Sequence, residues 1–118
     1  MSLTLYGIPN CDTVKKARVW LAENKHEFVF HDFKKSGTDL ALLQAWSTQV
    51  GWELLLNRKG LTWRNVPDAR KAQITDAKEA IELMQENPSI IKRPVLVADG
   101  KVLSVGFSEA QYQTLFAA

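Results

Sequence analysis

The sequence predicts an α/β protein in which a β-α-β unit and a β-β-α unit share a central mixed sheet, with a helical insertion between them. Three observations predict it. Short runs rich in alternating apolar residues stand near both ends of the chain, at Leu3–Tyr6, Glu27–Phe33, Val95–Val97 and Val102–Val105. Between them, from about residue 39 to 87, apolar residues recur at helical spacing instead. The length of 118 residues is that of one ordinary domain, able to bury a core without disulfide or metal staples, so a single domain over residues 1–118 with one site is expected.

Taken in order, Leu3-Thr4-Leu5-Tyr6 is the first strand, stopped by the breakers Gly7-Ile8-Pro9-Asn10. From Asp12 to Asn24 the spacing of Val14, Ala17 and Leu21, with Trp20 beside them, predicts a helix whose Lys15, Lys16, Arg18 and Glu23 face solvent. Phe28, Phe30 and Phe33 then mark a strand over Glu27–Phe33, completing a parallel β-α-β unit.

In the insertion, Leu42, Leu43, Trp46 and Val50 predict a helix over Asp39–Val50, and a leucine cluster follows at Glu53–Asn57. Ala77, Ala80, Ile81 and Met84 predict another over Thr75–Glu86, ended before Pro88. Two strands then flank Asp99-Gly100, a hairpin-turn dipeptide. Ser108 and Gln111 form a capping box that opens a last helix reaching about Phe116.

Composition narrows the function classes. Fifteen basic against thirteen acidic residues, in no long block, argue against a nucleic-acid arm or a membrane patch. No apolar stretch approaches a membrane span, and Met1–Tyr6 has no secretory signature, so a cytoplasmic location is expected. One cysteine excludes an internal disulfide and a cysteine-built zinc site. His26 and His31 lack metal or catalytic spacing and are expected in structural or surface roles. Trp20 and Trp46 fit helical core positions, and Trp63 beside Arg64 is the one tryptophan considered near a site. Lys34-Lys35 and the Arg64, Arg70, Lys71 group are expected on solvated faces.

The chemistry converges on Cys11. A thiol where a strand ends and a helix begins faces unsatisfied backbone N–H groups and the positive end of the helix dipole, which favour the thiolate. Cys11-Asp12-Thr13-Val14 departs from the C-x-x-C redox pattern, because Val14 cannot resolve a disulfide; a monothiol mechanism with an external thiol is expected. Asp12 either favours the helix start or opposes the thiolate, and Thr13 either donates to the sulfur or caps the backbone.

Three strings in order resemble the arsenate reductase and Spx-like branch of the thioredoxin superfamily, most closely its YffB-type members. They are Tyr6-Gly7-Ile8-Pro9-Asn10-Cys11, Leu54-Leu55-Leu56-Asn57-Arg58-Lys59-Gly60 and Ile91-Lys92-Arg93-Pro94-Val95-Leu96-Val97. The resemblance implies a thioredoxin-like fold, catalysis by Cys11, Arg58 and Arg93 as cations for the thiolate or an anion, and an active-site loop of Asn10, Asp12, Thr13 and Pro94, the last as a cis-proline. It implies glutathione as co-substrate and a glutaredoxin as a further partner; apart from the resemblance, no metal, no tightly held cofactor and a monomer are expected. Arsenate reductases of this type carry a third arginine in a string ending Arg-Pro-Ser-Glu, where Gly106-Phe107-Ser108-Glu109 stands here. The expected function is therefore a glutathione-dependent monothiol reductase. Arsenate reduction with glutathione and glutaredoxin is the first alternative. The second is an Spx-like regulator that binds RNA polymerase, although such proteins use a C-x-x-C switch that Val14 removes.

Overall fold

Buried and half-buried residues alternate along β1 (Leu3–Gly7), as they must in a strand with one face on a core. The computed structural model describes residues 2–117, and the chain folds in two parts: residues up to Phe33 with those from Arg93 onward, and Lys34–Lys92.

The first part holds β1, α1 (Asp12–Glu23), β2 (Val29–Asp32), β3 (Val95–Ala98), β4 (Lys101–Val105) and a last helix over Glu109–Leu115. The sheet order is β2-β1-β3-β4; β1 is parallel to β2 and antiparallel to β3, and β3 is antiparallel to β4. This is the mixed sheet that was expected, in the thioredoxin-like arrangement. Its core joins Leu3 and Leu5 of β1, Ala17, Trp20 and Leu21 of α1, Leu96 and Ala98 of β3, and Tyr112 of the last helix. Burying each leucine there contributes about 1.5–3 kcal/mol.

The ends of these elements carry their own reasons. Ser108 accepts from the Gln111 N–H at 3.1 Å, so half of the expected capping box forms. Asp99 and Gly100 both take positive φ, +50° and +84°, the pattern of a tight hairpin turn. At the end of α1 the Lys25 N–H donates to Ala22 and the His26 N–H to Leu21, closing the helix with Lys25 left-handed at φ +60°.

Helix α2 opens at Phe33, the last residue of the first part's opening stretch, and runs to Ser36; the second part continues with α3 (Leu40–Val50), α4 (Trp52–Leu55), α5 (Leu61–Arg64), α6 (Asp68–Gln73), α7 (Ala77–Glu86) and a 3₁₀ turn at Pro88–Ile90, and the last helix of the chain is therefore α8. Helix α3 packs on α7, and Leu43, Trp46, Ile81, Leu83 and Met84 are buried. Leu56 bridges Ile91, the Asn57 N–H donates to Ile90 at 2.8 Å and the Lys92 N–H to Leu55 at 2.7 Å.

Several boundaries and elements differ from expectation; the strand expected over Glu27–Phe33 is shorter at both ends, Val29–Asp32. Phe33 is not in the strand but opens a helical turn, because it lies three residues after Phe30 and period-2 alternation would turn it away from the buried place it takes. Helix α7 starts at Ala77, with Asp76 as its N-cap accepting from the Glu79 N–H. Helices α5 and α6 have no buried residue and so no apolar stripe to announce them.

Candidate active site

The chain leaves β1 at Gly7, turns through Ile8-Pro9-Asn10 and enters α1 at its N-cap, Cys11, with φ −101° and ψ 125°. The Cys11 N–H donates to the Ile8 carbonyl at 3.4 Å, and the Cys11 carbonyl accepts from the Lys15 N–H at 2.9 Å. The backbone is thus committed to turn and helix. The side chain is half-buried and makes no capping hydrogen bond.

A close approach missed in the sequence fixes this junction. A Cβ built on Gly7 would lie 2.8 Å from the Val14 Cγ2, well inside van der Waals contact. Val14 is itself fully buried, so only glycine lets the end of β1 approach the first turn of α1. The only sequence signal was a glycine ending an apolar strand.

The other expected residues divide between the two parts. Asn10 and Asp12 are exposed and Thr13 is half-buried, all beside Cys11, with Asp12 placing a carboxylate in the first turn of α1. The Arg93–Pro94 bond is cis; Arg93 is half-buried and Pro94 buried immediately before β3. Because Tyr6 pairs with Val95, the start of β3 and the end of β1 lie at the same end of the sheet. Cys11 and Pro94 are therefore brought to one edge. Arg58 belongs to the helical part, where it is exposed on the loop after Leu56, its guanidinium carbon 5.4 Å from the centre of the Trp52 ring.

Gly106 has a role of its own at this edge. It is buried, takes φ +85°, and its N–H donates to the Pro94 carbonyl at 2.8 Å. An arginine at Gly106 would enter the left-handed region at a cost of about 1–2 kcal/mol, so this backbone is built for glycine.

Tyr6 and its register partner His31 stand at the same end of the sheet. Tyr6 lies 4.7 Å from His31 and 6.0 Å from Phe33 between ring centres, and burial raises the Tyr6 phenol above its ordinary value. His26 stacks on Phe116 at 4.1 Å, a packing role. Trp63 carries the Lys71 ammonium 5.5 Å from its ring centre. Among the described residues no group of three His, Cys, Asp or Glu could hold a metal ion, and no helix is long and apolar enough to cross a membrane.

A four-stranded mixed sheet with a cysteine at the N-cap position of the first helix and a cis-proline just before the third strand defines the thioredoxin-like class. The ArsC family matches residues 6–115, and the chain belongs to that family. A solved structure of the protein YFFB is 46% identical, with a TM-score of 0.92 over 98% of this chain and all of that one. An arsenate reductase (ArsC) related protein from Brucella melitensis is 49% identical, with a TM-score of 0.78 over all of this chain and 97% of that one. The global transcriptional regulator Spx of Enterococcus faecalis is 32% identical over 91% of this chain and 80% of its own. This membership places the chain among arsenate-reductase-like, thiol-based oxidoreductases.

Proposed function

We propose that the protein is a glutathione-dependent monothiol reductase whose nucleophile is Cys11. The observation that carries this reading is the place of that side chain: at the N-cap of α1, half-buried, uncommitted to any cap bond, and at the same end of the sheet as the cis-proline. Backbone N–H groups of the first turn of α1 stabilise negative charge there.

In the first step the Cys11 thiolate attacks one sulfur of a substrate disulfide. The new bond is Cys11 Sγ to that sulfur, the old S–S bond breaks, and the other sulfur leaves as a thiolate that takes a proton from water. A glutathione thiolate then attacks Cys11 Sγ, releasing the second substrate thiol and leaving Cys11 joined to glutathione. A second glutathione attacks the glutathione sulfur and frees Cys11. Two glutathiones are oxidised to one disulfide for each substrate disulfide reduced to two thiols. No internal thiol competes, since Val14 occupies the place of a resolving cysteine and is fully buried.

Arg93, next to Pro94, holds a glutathione carboxylate in this reading, as guanidinium forks do for carboxylates, and Arg58 is an anion-binding cation of the helical part. A glutaredoxin is the natural alternative donor of the external thiol. Arsenate is disfavoured, because the backbone at Gly106 resists the third arginine that a multiply charged oxyanion needs.

Turnover of 2-hydroxyethyl disulfide with glutathione, followed through glutathione reductase, tests the reading. Cys11→Ser is expected to lower the rate at least about a hundredfold. Full activity in Cys11→Ser contradicts the assignment. Faster turnover of arsenate than of any disulfide transfers the reading to arsenate reduction.

A further inference from the structure

A groove of about 500 Å³ runs along the outer side of α1, with Lys15, Lys16, Val19 and Glu23 on one bank and Phe107 and Glu109 on the other. All of these residues belong to the same part of the fold as Cys11. Val19 is 54% exposed, an apolar side chain left uncovered on a helix whose other large apolar residues, Val14, Trp20 and Leu21, are buried. None of the four charged residues is in an ion pair among the described residues. Charges not engaged within the chain are free to pair with complementary charges of a ligand laid along the groove.

The order of these side chains along α1 is a ruler that starts at Cys11. With a helical rise of ~1.5 Å per residue, Lys15 and Lys16 stand ~6–7.5 Å from Cys11 along the axis, Val19 ~12 Å and Glu23 ~18 Å. An extended peptide advances ~3.3 Å per residue. If its cysteine is joined to Cys11, its second residue onward lies at ~6.6 Å, its fourth at ~13 Å, and its fifth to sixth at ~17–20 Å. The helix therefore presents cations to the second position and an apolar surface to the fourth, and its carboxylate, level with the fifth to sixth, faces the sixth because alternate residues of an extended chain share a side.

We infer that this groove is the substrate-specificity site of the reductase, and that it takes an extended protein segment in which a disulfide cysteine is followed by an acidic residue two positions on, an apolar residue four on and a basic residue six on. The inference rests on the proposed thiol chemistry of Cys11 and names its substrate class: protein disulfides rather than small oxidised molecules. Phe107, half-buried and edge-on to Tyr112 at 4.7 Å, supplies the opposite apolar bank for the fourth residue. The alternation fixes the order of charges outward from the cysteine, since the opposite order sets like charges together at both ends.

The test uses the full chain and heptapeptides whose cysteine carries a 2-nitro-5-thiobenzoate cap. Attack by Cys11 forms the Cys11–peptide disulfide, breaks the bond to the cap and releases the coloured thiolate, so each encounter is counted by absorbance. Cys-Ala-Glu-Ala-Leu-Ala-Lys is compared with Cys-Ala-Lys-Ala-Leu-Ala-Glu, each rate taken relative to that of a capped cysteine alone. The first peptide is expected to react about fivefold faster than the second at low salt. In 1 M salt the Debye length falls to about 3 Å and the preference is expected to vanish. In the triple variant Lys15→Glu, Lys16→Glu, Glu23→Lys it is expected to invert. That variant keeps acids early and a base late on α1, as the helix dipole favours, and the salt comparison needs no variant. Equal, rapid reaction of both peptides overturns the groove and leaves the thiol chemistry standing. Release from none of the peptides, with the capped cysteine also inert, overturns the thiol reading and the groove with it.

Discussion

The sheet part and the helical part are held by different means. In the sheet part, β1 is paired on both sides, so backbone registers such as Tyr6 to Val95 and Thr4 to Val29 place each residue. In the helical part only α3 and α7, of eleven and ten residues, exceed two turns. Helices of four to six residues such as α4, α5 and α6 are not stable alone, and there the fold depends on a few large buried side chains and the Leu56–Ile91 bridge. Cys11, on which the proposed chemistry rests, lies in the part whose geometry is fixed by the backbone. The lesson is that substitutions in the sheet part act through close approach and polarity, whereas those in the helical part act through lost volume.

The largest effect is expected where a single side chain carries most. Trp46, 1% exposed on α3, should cost about 3–5 kcal/mol on truncation to alanine, read by denaturant unfolding. A loss below 1 kcal/mol would show that the helical part does not depend on its large side chains.

Next comes a pH effect confined to the sheet part. Burial pushes the Tyr112 phenol up to about 12 from 10.0, and the Ser104 hydroxyl beside it offsets this only in part. Between pH 10 and 12 the unfolded chain gives up a proton that the folded chain keeps. Stability is therefore whole below pH 10 and falls as pH rises toward 12, by at most about 2–3 kcal/mol. Tyr6, raised in the same direction, adds to the total, so the Tyr112 share is the difference between wild type and Tyr112→Phe. Parallel pH profiles for the two proteins would remove this account of Tyr112.

Gly7→Ala probes close approach directly. The added methyl meets the β-branched, fully buried Val14, and the expected destabilisation is about 1–3 kcal/mol with slower Cys11 alkylation as the junction shifts. Pairing it with Val14→Ala should recover part of the loss; strict additivity of the two changes would contradict the contact. The smallest expected effect is a gain. Lys25 is left-handed at φ +60°, a place suited to glycine, and Lys25→Gly should raise stability by about 0.5–1 kcal/mol in thermal unfolding. A loss of stability instead would mean that the lysine side chain makes a contact worth more than the strain.

Much of the sheet part was legible in the sequence because its signals are local. Breakers at Gly7-Ile8-Pro9-Asn10 located Cys11 at the start of α1, Asp99-Gly100 located the hairpin, and Ser108 located the start of α8. Phe33 was misplaced because three aromatics in seven residues resemble alternation until parity is counted. Helices α5 and α6 escaped because helical periodicity needs a buried stripe, and residues 61–64 and 68–73 bury none. The close approach of Gly7 to Val14 and the hydrogen bond from Gly106 to Pro94 join residues seven and twelve positions apart. No window of composition encodes such contacts; they exist only once β1, β3 and β4 are in register. The candidate site divides likewise. Cys11 followed from position and chemistry, whereas Arg58, Arg93 and the cis state of Pro94 were reached through family resemblance, since isolated arginines carry no periodic signal.

The central claim is that Cys11 is a nucleophile that cycles through a disulfide with an external thiol. Incubation of the intact protein with oxidised glutathione, followed by mass spectrometry before and after addition of reduced glutathione, measures that cycle in one experiment. The account predicts a single glutathione joined to Cys11 and its full release by reduced glutathione. A protein that stays unmodified, or an adduct that reduced glutathione does not remove, would contradict it.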